Sequence, residues 1–308
     1  MERKKKQSET LENFMGSIIE QLKTNGQYRT MLHYRATQNS IMQYRDGKDL
    51  TLSEIDADLV KSYEAYLKNV VGVCRNTSSF YLRIFRAVYN KAVEKGYAVE
   101  QKPFKHVYTG IDTTRRRAVS ADMISCIKKL NHNLSPMQKM ARDTFLMCFY
   151  LRGISFIDLA HLRKSDIKNG YLHYTRSKTG QRLSVKWEKD MQAIVDKYHR
   201  LTSSSPYLFP FLVSHLSAKQ EESRLYHNAE SRISYHLEKI GMKVGIQGKL
   251  TLYVARHSWA TVARDLNVPV SVISKALGHE SENTTQIYLQ SIQSSEVDRA
   301  NADIIASI

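Results

Sequence analysis

The strongest constraint on the fold of this chain is the helical spacing of its apolar residues. In the first such stretch they recur at intervals of three and four, which is typical of one face of an amphipathic helix: Leu11, Phe14, Met15, Ile18, Ile19 and Leu22. The same spacing predicts three more helices, at residues 28–44, at about 56–69, and after Thr77 as far as Gly96. Because the loops between them are short, residues 9–100 are predicted to form a compact helical bundle behind a mobile basic tail at residues 1–8.

A break in the helical pattern divides the chain. Between residues 101 and 119 a proline, a glycine and the triplet Arg115-Arg116-Arg117 interrupt the apolar spacing, which is typical of a linker. A chain of 308 residues is long enough for two domains with separate cores. We therefore expect a second domain over residues 120–308.

The second domain contains helical patterns and one strand pattern. Ser120 and the pair Ser135-Pro136 are typical helix starts. Between residues 171 and 187 apolar and polar residues alternate on either side of Thr179-Gly180, which predicts a β-hairpin. Further helices are predicted at 187–200, 228–240, 251–265, 270–277 and 283–293. The expected fold is mostly α, of the α+β class, with a helical bundle followed by a mixed α/β domain that holds a small β-hairpin.

The charge balance indicates a polyanionic partner. The chain has 46 Lys and Arg against 30 Asp and Glu, a formal net charge of +16. Nucleic acid is the leading candidate, although membrane-surface and ribosomal proteins are equally basic. For any single arginine, a solvated helix face is the alternative to phosphate contact. The candidates for phosphate contact in the bundle and linker are Arg35, Arg45, Arg75, Arg83, Arg86, Arg115, Arg116 and Arg117.

The cysteines and the lengths of the apolar runs further narrow the class of protein. Cys74, Cys126 and Cys148 are an odd number at wide spacing, and the last two fall in apolar patterns, so they are expected to be reduced core residues. No CxxC pair, HExxH or other metal-binding spacing occurs in the sequence, so we expect neither a metal nor another cofactor. The absence of an 18-residue apolar run and of a signal-peptide pattern predicts a cytoplasmic, nucleoid-associated protein.

Three separated segments carry the four groups that phosphodiester chemistry needs. The stretch LGHESENTTQIY places His279 nine residues before Tyr288, Arg256 lies in LYVARHSWAT, and Lys178 lies in YTRSKTGQRLSV. A phenol can attack phosphorus, guanidinium groups can neutralise the charge of the transition state, and an ammonium can protonate the leaving oxygen. Together these groups indicate DNA strand exchange without ATP or metal.

In these motifs the sequence resembles the tyrosine recombinase (phage integrase) family and, within it, the integrase and DNA-invertase branch of Bacteroidetes. The resemblance covers essentially the whole chain, as a core-binding helical domain and a catalytic domain. It implies that Tyr288 is the nucleophile, Arg256 the second catalytic arginine, His279 the histidine of the LGH motif and Lys178 the general acid. Any one motif is weak evidence, whereas their joint spacing is strong.

The sequence departs from the family pattern at two positions. Alignment of ISFIDLAHLRKSDI with the family pattern places Ser155 where the first catalytic arginine normally stands. Arg152 and Arg176 are the candidates to replace it, and Arg176 is slightly favoured because a strand would point its side chain in the same direction as that of Lys178.

The second departure is Tyr253, which stands in place of a family histidine; it either bonds a phosphate oxygen or is a packed helix aromatic. Two other residues are expected to support the site. His257 is expected to support the site rather than enter it, since it lies about 100° from Arg256 around a helix. By resemblance, Asp158 is expected to orient other groups.

The resemblance implies a site-specific recombinase that integrates, excises or inverts DNA through a 3′-phosphotyrosine intermediate. Its partners would be duplex DNA with inverted-repeat sites, accessory DNA-bending proteins and three further copies of itself. The small apolar helix pattern at the end of the sequence predicts that residues 293–308 dock on a neighbouring protomer. Two alternatives stay open. One is a DNA-binding accessory or regulatory protein that has lost the chemistry, and the other is a relaxase similar to type IB topoisomerases.

Overall fold

The computed structural model describes residues 9–112, 118–212 and 219–279, together with residues 281, 282, 285, 286 and 305. The chain divides into two compact units, Met1–Arg115 and Arg116–Ile308. Within these described ranges, no helix combines the length and the apolar character needed to cross a membrane.

The first unit is a bundle of helices. Thr10 caps the first helix by accepting a hydrogen bond from the backbone N–H of Asn13, as expected. The last helix begins at Arg75, earlier than the predicted start after Thr77; Cys74 is its N-cap, and the Cys74 sulfur lies 3.2 Å from the Thr77 hydroxyl. The four predicted helices are confirmed as α1 (Leu11–Thr24), α2 (Tyr28–Tyr44), α3 (Ala57–Asn69) and α4 (Arg75–Glu94).

Aromatic side chains fill the centre of this bundle. Tyr63, Phe85 and Tyr89 are almost fully buried. The Phe85 ring meets the rings of Tyr63 and Phe104 edge-on, at centroid distances of 6.1 and 5.3 Å. Phe104 lies beyond the last helix, so the first part of the segment predicted as a linker packs on the bundle.

The second unit surrounds a small antiparallel sheet with helices. The sheet has the strand order β1-β2-β3, and Tyr174 pairs with Leu183 in the hairpin, which confirms the predicted β-hairpin. The mostly helical fold with a small sheet is also confirmed. The elements are α5 (Ala121–Lys129), α6 (Pro136–Tyr150), α7 (Phe156–His161), β1 (Ile167–Lys168), β2 (Tyr171–Thr175), β3 (Arg182–Lys186), α8 (Lys189–Thr202), α9 (Lys219–Lys243), α10 (Leu252–Asp265) and α11 (Val270–Leu277).

Helix α6 lies at the centre of this unit and packs against α9 and α10. Its Phe145, Met147 and Cys148 are fully buried, and burial raises the pKa of the Cys148 thiol. The expectation of a buried Cys126 is wrong: α5 turns Ile124 and Ile127 toward the core, which leaves Cys126 exposed.

A buried ionic network joins α6 to α8. The Asp143 carboxylate accepts hydrogen bonds from the Arg142 guanidinium at 2.7 and 2.9 Å, from Lys197 at 3.1 Å and from the Tyr198 hydroxyl at 2.9 Å. Burial, followed by the neighbouring Asp143, raises the pKa of Tyr198. Each carboxylate oxygen therefore has two donors, which a buried charge requires.

Candidate active site

Arg256 connects three segments of the second unit. It lies on α10 with only 6% of its surface exposed. Its guanidinium donates hydrogen bonds to the Gly153 carbonyl at 2.8 Å and to the Leu277 carbonyl at 2.6 Å, and it lies 3.0 Å from Nε2 of His279. The turn after α6, helix α10 and the loop after α11 therefore meet at one guanidinium.

The turn after α6 allows this close approach. Gly153 donates to the Cys148 carbonyl and Arg152 to the Phe149 carbonyl, which is the hydrogen-bond pattern of a Schellman helix end. Both Arg152 and Gly153 are left-handed, with φ of +58° and +75°. A Cβ atom at Gly153 would lie 2.5 Å from Cγ of Arg256, so only glycine fits against α10 here.

His279 follows a glycine that ends α11. Gly278 adopts φ +64°, and the backbone N–H of His279 bonds to the Ser274 carbonyl at 3.1 Å. Since a guanidinium only donates, Nε2 of His279 is the acceptor of the bond from Arg256. Nδ1 must then carry the proton of the neutral ring and donate it to the buried Thr285 hydroxyl, 2.7 Å away.

Arg176 reaches the same loop from the end of β2. Its Nη1 donates to the Leu277 carbonyl at 3.2 Å and to the Gly278 carbonyl. Arg256 donates to that same Leu277 carbonyl, so two guanidinium groups converge on one backbone oxygen beside His279. The structure thus brings Arg176, Arg256 and His279 together.

Lys178 is exposed in the turn between β2 and β3. The expectation that Arg176 and Lys178 share a strand face is wrong, since β2 ends at Thr175. Helix α7 holds this turn through Asp158. Its carboxylate accepts hydrogen bonds from the backbone N–H of Ser177 at 2.9 Å and from the Ser177 hydroxyl at 2.6 Å.

Tyr174 is a member of this cluster that sequence reasoning missed. Burial and, after it, the neighbouring Asp158 raise its pKa to about 12, although Arg256, Arg176 and Arg152 lower it. Asp158 and the three arginines, including Arg152, thus contribute to the electrostatic environment of Tyr174. The sequence signal for Tyr174 was its place in the strand pattern that predicted the hairpin, two residues before Arg176.

Ser155 and Tyr253 occupy the positions where the family pattern is broken. Ser155 is the N-cap of α7, and its hydroxyl donates to the Asp158 carboxylate at 2.6 Å. Tyr253 is 58% exposed, and its ring meets the largely buried His257 ring edge-on at 4.5 Å. Tyr253 and Arg256 are three residues apart on α10 and therefore project from one side of the helix.

Several predicted residues lie outside the described residues. They include Tyr288, the predicted nucleophile, which follows the buried Thr285 by three positions. The same holds for Arg115, Arg116 and Arg117, for most of the predicted 283–293 helix, and for residues 293–308 apart from the exposed Ile305.

The remaining predicted phosphate contacts lie in the first unit, where α4 is engaged by the segment that follows the bundle. Arg75 lies over the Tyr108 ring at 3.8 Å and within 3.5 Å of the Asp112 carboxylate. Arg86 donates to the Thr109 hydroxyl at 3.0 Å. Residues 108–112 therefore cover part of the basic face of α4.

The other three arginines differ in exposure. Arg35 is exposed on α2, and Arg45 donates to the Lys48 carbonyl at 3.4 Å. The Nε atom of Arg83 is buried and has no hydrogen-bond partner among the described residues.

Comparisons with known proteins identify the family of this chain. A family model described as the phage integrase SAM-like domain matches residues 10–109, and one described as the phage integrase family matches residues 125–294. The chain is 30% identical to the tyrosine recombinase XerA of Pyrococcus furiosus over 165 residues, which are 53% of this chain and 54% of that protein. It is 22% identical to a tyrosine recombinase XerC of Leptospira interrogans over 92% of this chain and 90% of that protein. The chain spans about half the length of the first curated relatives it matches.

Solved structures show the same fold. A lambda integrase(75-356) dimer bound to a COC′ core site gives a TM-score of 0.65 at 16% identity, with 91% of this chain and 95% of that chain covered. A lambda integrase tetramer bound to a Holliday junction gives 0.65 at 16% identity, with 92% and 78% covered. The narrower Bacteroidetes branch stays a prediction. Because the family model matches more than half of the sequence, this chain belongs to the phage integrase family, whose members are tyrosine recombinases.

Proposed function

We propose that this chain is a site-specific DNA recombinase that cuts and rejoins strands through a 3′-phosphotyrosine intermediate. The observation that carries the proposal is the convergence of Arg176, Arg256 and His279 on the loop 277–279, nine residues before Tyr288. Phosphoryl transfer of this kind depends on positioning and on neutralisation of the charge that develops on the non-bridging oxygens. Two guanidinium groups and an imidazole at one point suit that task.

Each group has a proposed role. The Tyr288 oxygen attacks phosphorus, and Arg256 and Arg176 stabilise the charged transition state, with Arg176 in place of the arginine missing at Ser155. Lys178 donates a proton to the departing 5′ oxygen. Tyr253 contributes a hydrogen-bond donor on the exposed side of α10. No metal or other cofactor takes part in this scheme.

The partners are proposed from charge and family likeness. Duplex DNA with inverted-repeat sites fits the net charge of +16 and lies against the core-binding domain (9–100), the linker (101–119) and the catalytic domain (120–308). Assembly of four copies is supported by the likeness to the lambda integrase tetramer bound to a Holliday junction. A cytoplasmic location and accessory DNA-bending proteins belong to the same proposal. Residues 293–308 would dock on the neighbouring protomer. Deletion after Val297 should then reduce synapsis while duplex binding persists, and unchanged synapsis would exclude this role of the tail.

A nicked suicide substrate tests the chemistry. The binding site can be found by repeated selection from random duplexes, and a nick near the cleavage position lets the short 5′-hydroxyl fragment diffuse away and traps the intermediate. We expect a covalent protein–DNA adduct that Tyr288→Phe abolishes and that Tyr235→Phe, a control at an exposed tyrosine of α9, leaves unchanged. Full binding without any adduct would identify a regulatory protein instead. Cleavage at any sequence by a single protomer would identify a relaxase.

The replacement for the missing arginine has its own test. Arg176→Ala should slow formation of the adduct by about 100-fold or more, since one oriented donor to a charged transition state has about that effect, while the affinity for DNA changes little. A wild-type rate in this variant would assign the role to Arg152, for which Arg152→Ala is the matched experiment.

A further inference from the structure

The Asp158 carboxylate is the centre of a three-residue contact between α7 and the β2–β3 turn. It is 95% buried, with a relative exposure of 5%. One oxygen accepts the Ser155 hydroxyl at 2.6 Å, and the other accepts the backbone N–H and the hydroxyl of Ser177 at 2.9 and 2.6 Å. Both oxygens of a buried carboxylate are thus satisfied by groups whose positions they in turn fix.

Ser177 stands between the two cations of the hairpin turn. Arg176 precedes it and donates to the loop carbonyls at 277 and 278, and Lys178 follows it with an exposed side chain. Backbone hydrogen bonds from Gly180 to Arg176 and from Arg176 to Gln181, both 2.8 Å, close the turn on itself. They do not reach α7, whereas the bonds from Ser177 to Asp158 connect the turn to that helix.

We propose that Ser155, Asp158 and Ser177 form a clamp that positions Lys178 to protonate the leaving oxygen. The proposal rests on the proposed function. Lysine is a flexible side chain, and proton transfer needs the two heavy atoms within about 2.6–3.2 Å. A displacement of about 1 Å can lower the rate on the order of 100-fold. Ser177 directly precedes Lys178 in the chain. The two hydrogen bonds at Ser177 therefore fix the position of the backbone from which the Lys178 side chain extends.

Ser155 acquires a different role from the one its alignment suggests. The position that would carry an arginine toward phosphate instead carries a hydroxyl that orients the Asp158 carboxylate. It also caps α7, where the Asp158 N–H lies 3.4 Å from that hydroxyl. Ser155 and Ser177 are therefore positioning residues that act through Asp158 and the turn.

The chemistry of the cleavage step makes it possible to distinguish a misplaced Lys178 from other catalytic defects. During cleavage the bond from the Tyr288 oxygen to phosphorus forms and the bond from phosphorus to the 5′ oxygen breaks. The phenolic proton passes to solvent, and the departing oxygen takes its proton from Lys178. When sulfur replaces the bridging 5′ oxygen, the leaving group departs as a thiolate and needs no proton, so loss of the general acid no longer matters.

Adduct formation should be compared on nicked substrates with oxygen and with sulfur at that bridging position. With oxygen, we expect Ser177→Ala to form the adduct on the order of 10- to 100-fold more slowly than the wild-type protein. With sulfur, Ser177→Ala should react at the wild-type rate, and Lys178→Ala should show the same rescue. Ser177→Thr keeps the hydroxyl and should cleave normally. Ser184→Ala, at an exposed serine of the same hairpin, is the matched control and should have no effect.

Two results would overturn the clamp: a wild-type rate for Ser177→Ala with oxygen, or an equal loss with both substrates. Ser155→Ala is a second variant that leaves the turn sequence intact, and it should show a smaller loss that is again confined to the oxygen substrate. If the wild-type protein forms an adduct with neither substrate, the proposed function fails and not the clamp.

Discussion

Replacement of Gly153 by alanine should push the turn after α6 away from α10, the helix that carries Arg256. The added Cβ would lie 2.5 Å from Cγ and 2.7 Å from Cα of Arg256, whereas carbon atoms pack at about 3.5–4.0 Å. The turn and α10 must therefore move apart by about 1 Å. Such overpacking costs roughly 1–3 kcal/mol, and the φ of +75° costs alanine about 1–2 kcal/mol more.

We therefore expect Gly153→Ala to lower the free energy of unfolding by about 2–5 kcal/mol. Both tryptophans, Trp187 and Trp259, lie in the second unit, so their fluorescence during urea denaturation reports on the affected part. Because the displacement moves the Arg256 guanidinium, the rate of adduct formation should also fall, on the order of 100-fold.

Gly170→Ala is the matched control for this prediction. Gly170 has nearly the same φ, +76°, but nothing lies within 4 Å of its Cβ position. Its replacement should therefore cost only the backbone term of about 1–2 kcal/mol and leave cleavage unchanged. Equal losses of stability in the two variants, or wild-type cleavage by Gly153→Ala, would refute the claim that this glycine sets the position of Arg256.

Three further predictions concern other parts of the chain. Arg152→Gly should be about 1 kcal/mol more stable to urea than Arg152→Ala, because residue 152 is left-handed and only glycine avoids that cost. Asp143→Ala should lower the free energy of unfolding by about 3–5 kcal/mol, since it leaves Arg142 buried without its carboxylate, and a loss below 1 kcal/mol would contradict this. Asp112→Asn should tighten binding to duplex DNA more than the charge-matched Asp58→Asn does, because Asp112 lies 3.5 Å from the Arg75 guanidinium and offsets its charge; equal effects in a filter-binding assay would rule this out.

Local signals account for the parts of the fold that the sequence predicted well. The caps at Thr10 and Ser135 and the apolar spacing behind them act within one or two helical turns, so they can be identified without the rest of the chain. Helix α9 shows the limit of that approach. It begins at Lys219 rather than near 228, and its first turns are polar residues without apolar spacing.

The site was harder to predict because its contacts are between distant segments. Arg256 meets carbonyls at Gly153 and Leu277, which are 103 and 21 residues away. No periodicity encodes such a meeting, and only the family resemblance suggested it. The prediction that Lys178 lies on a strand was wrong for a related reason. The alternating sequence pattern extends past Thr175, whereas the strand ends there and Ser177 bonds to the distant Asp158.

The most direct test of the proposed chemistry is to locate the residue that becomes bonded to DNA. The trapped adduct would be digested with protease and nuclease, and the peptide that carries the residual nucleotide identified by mass spectrometry. We predict that the nucleotide is on Tyr288, and that the modified peptide is absent from Tyr288→Phe prepared in the same way. A nucleotide on Tyr253 or on any other residue, or full DNA binding with no modified peptide at all, would contradict the account.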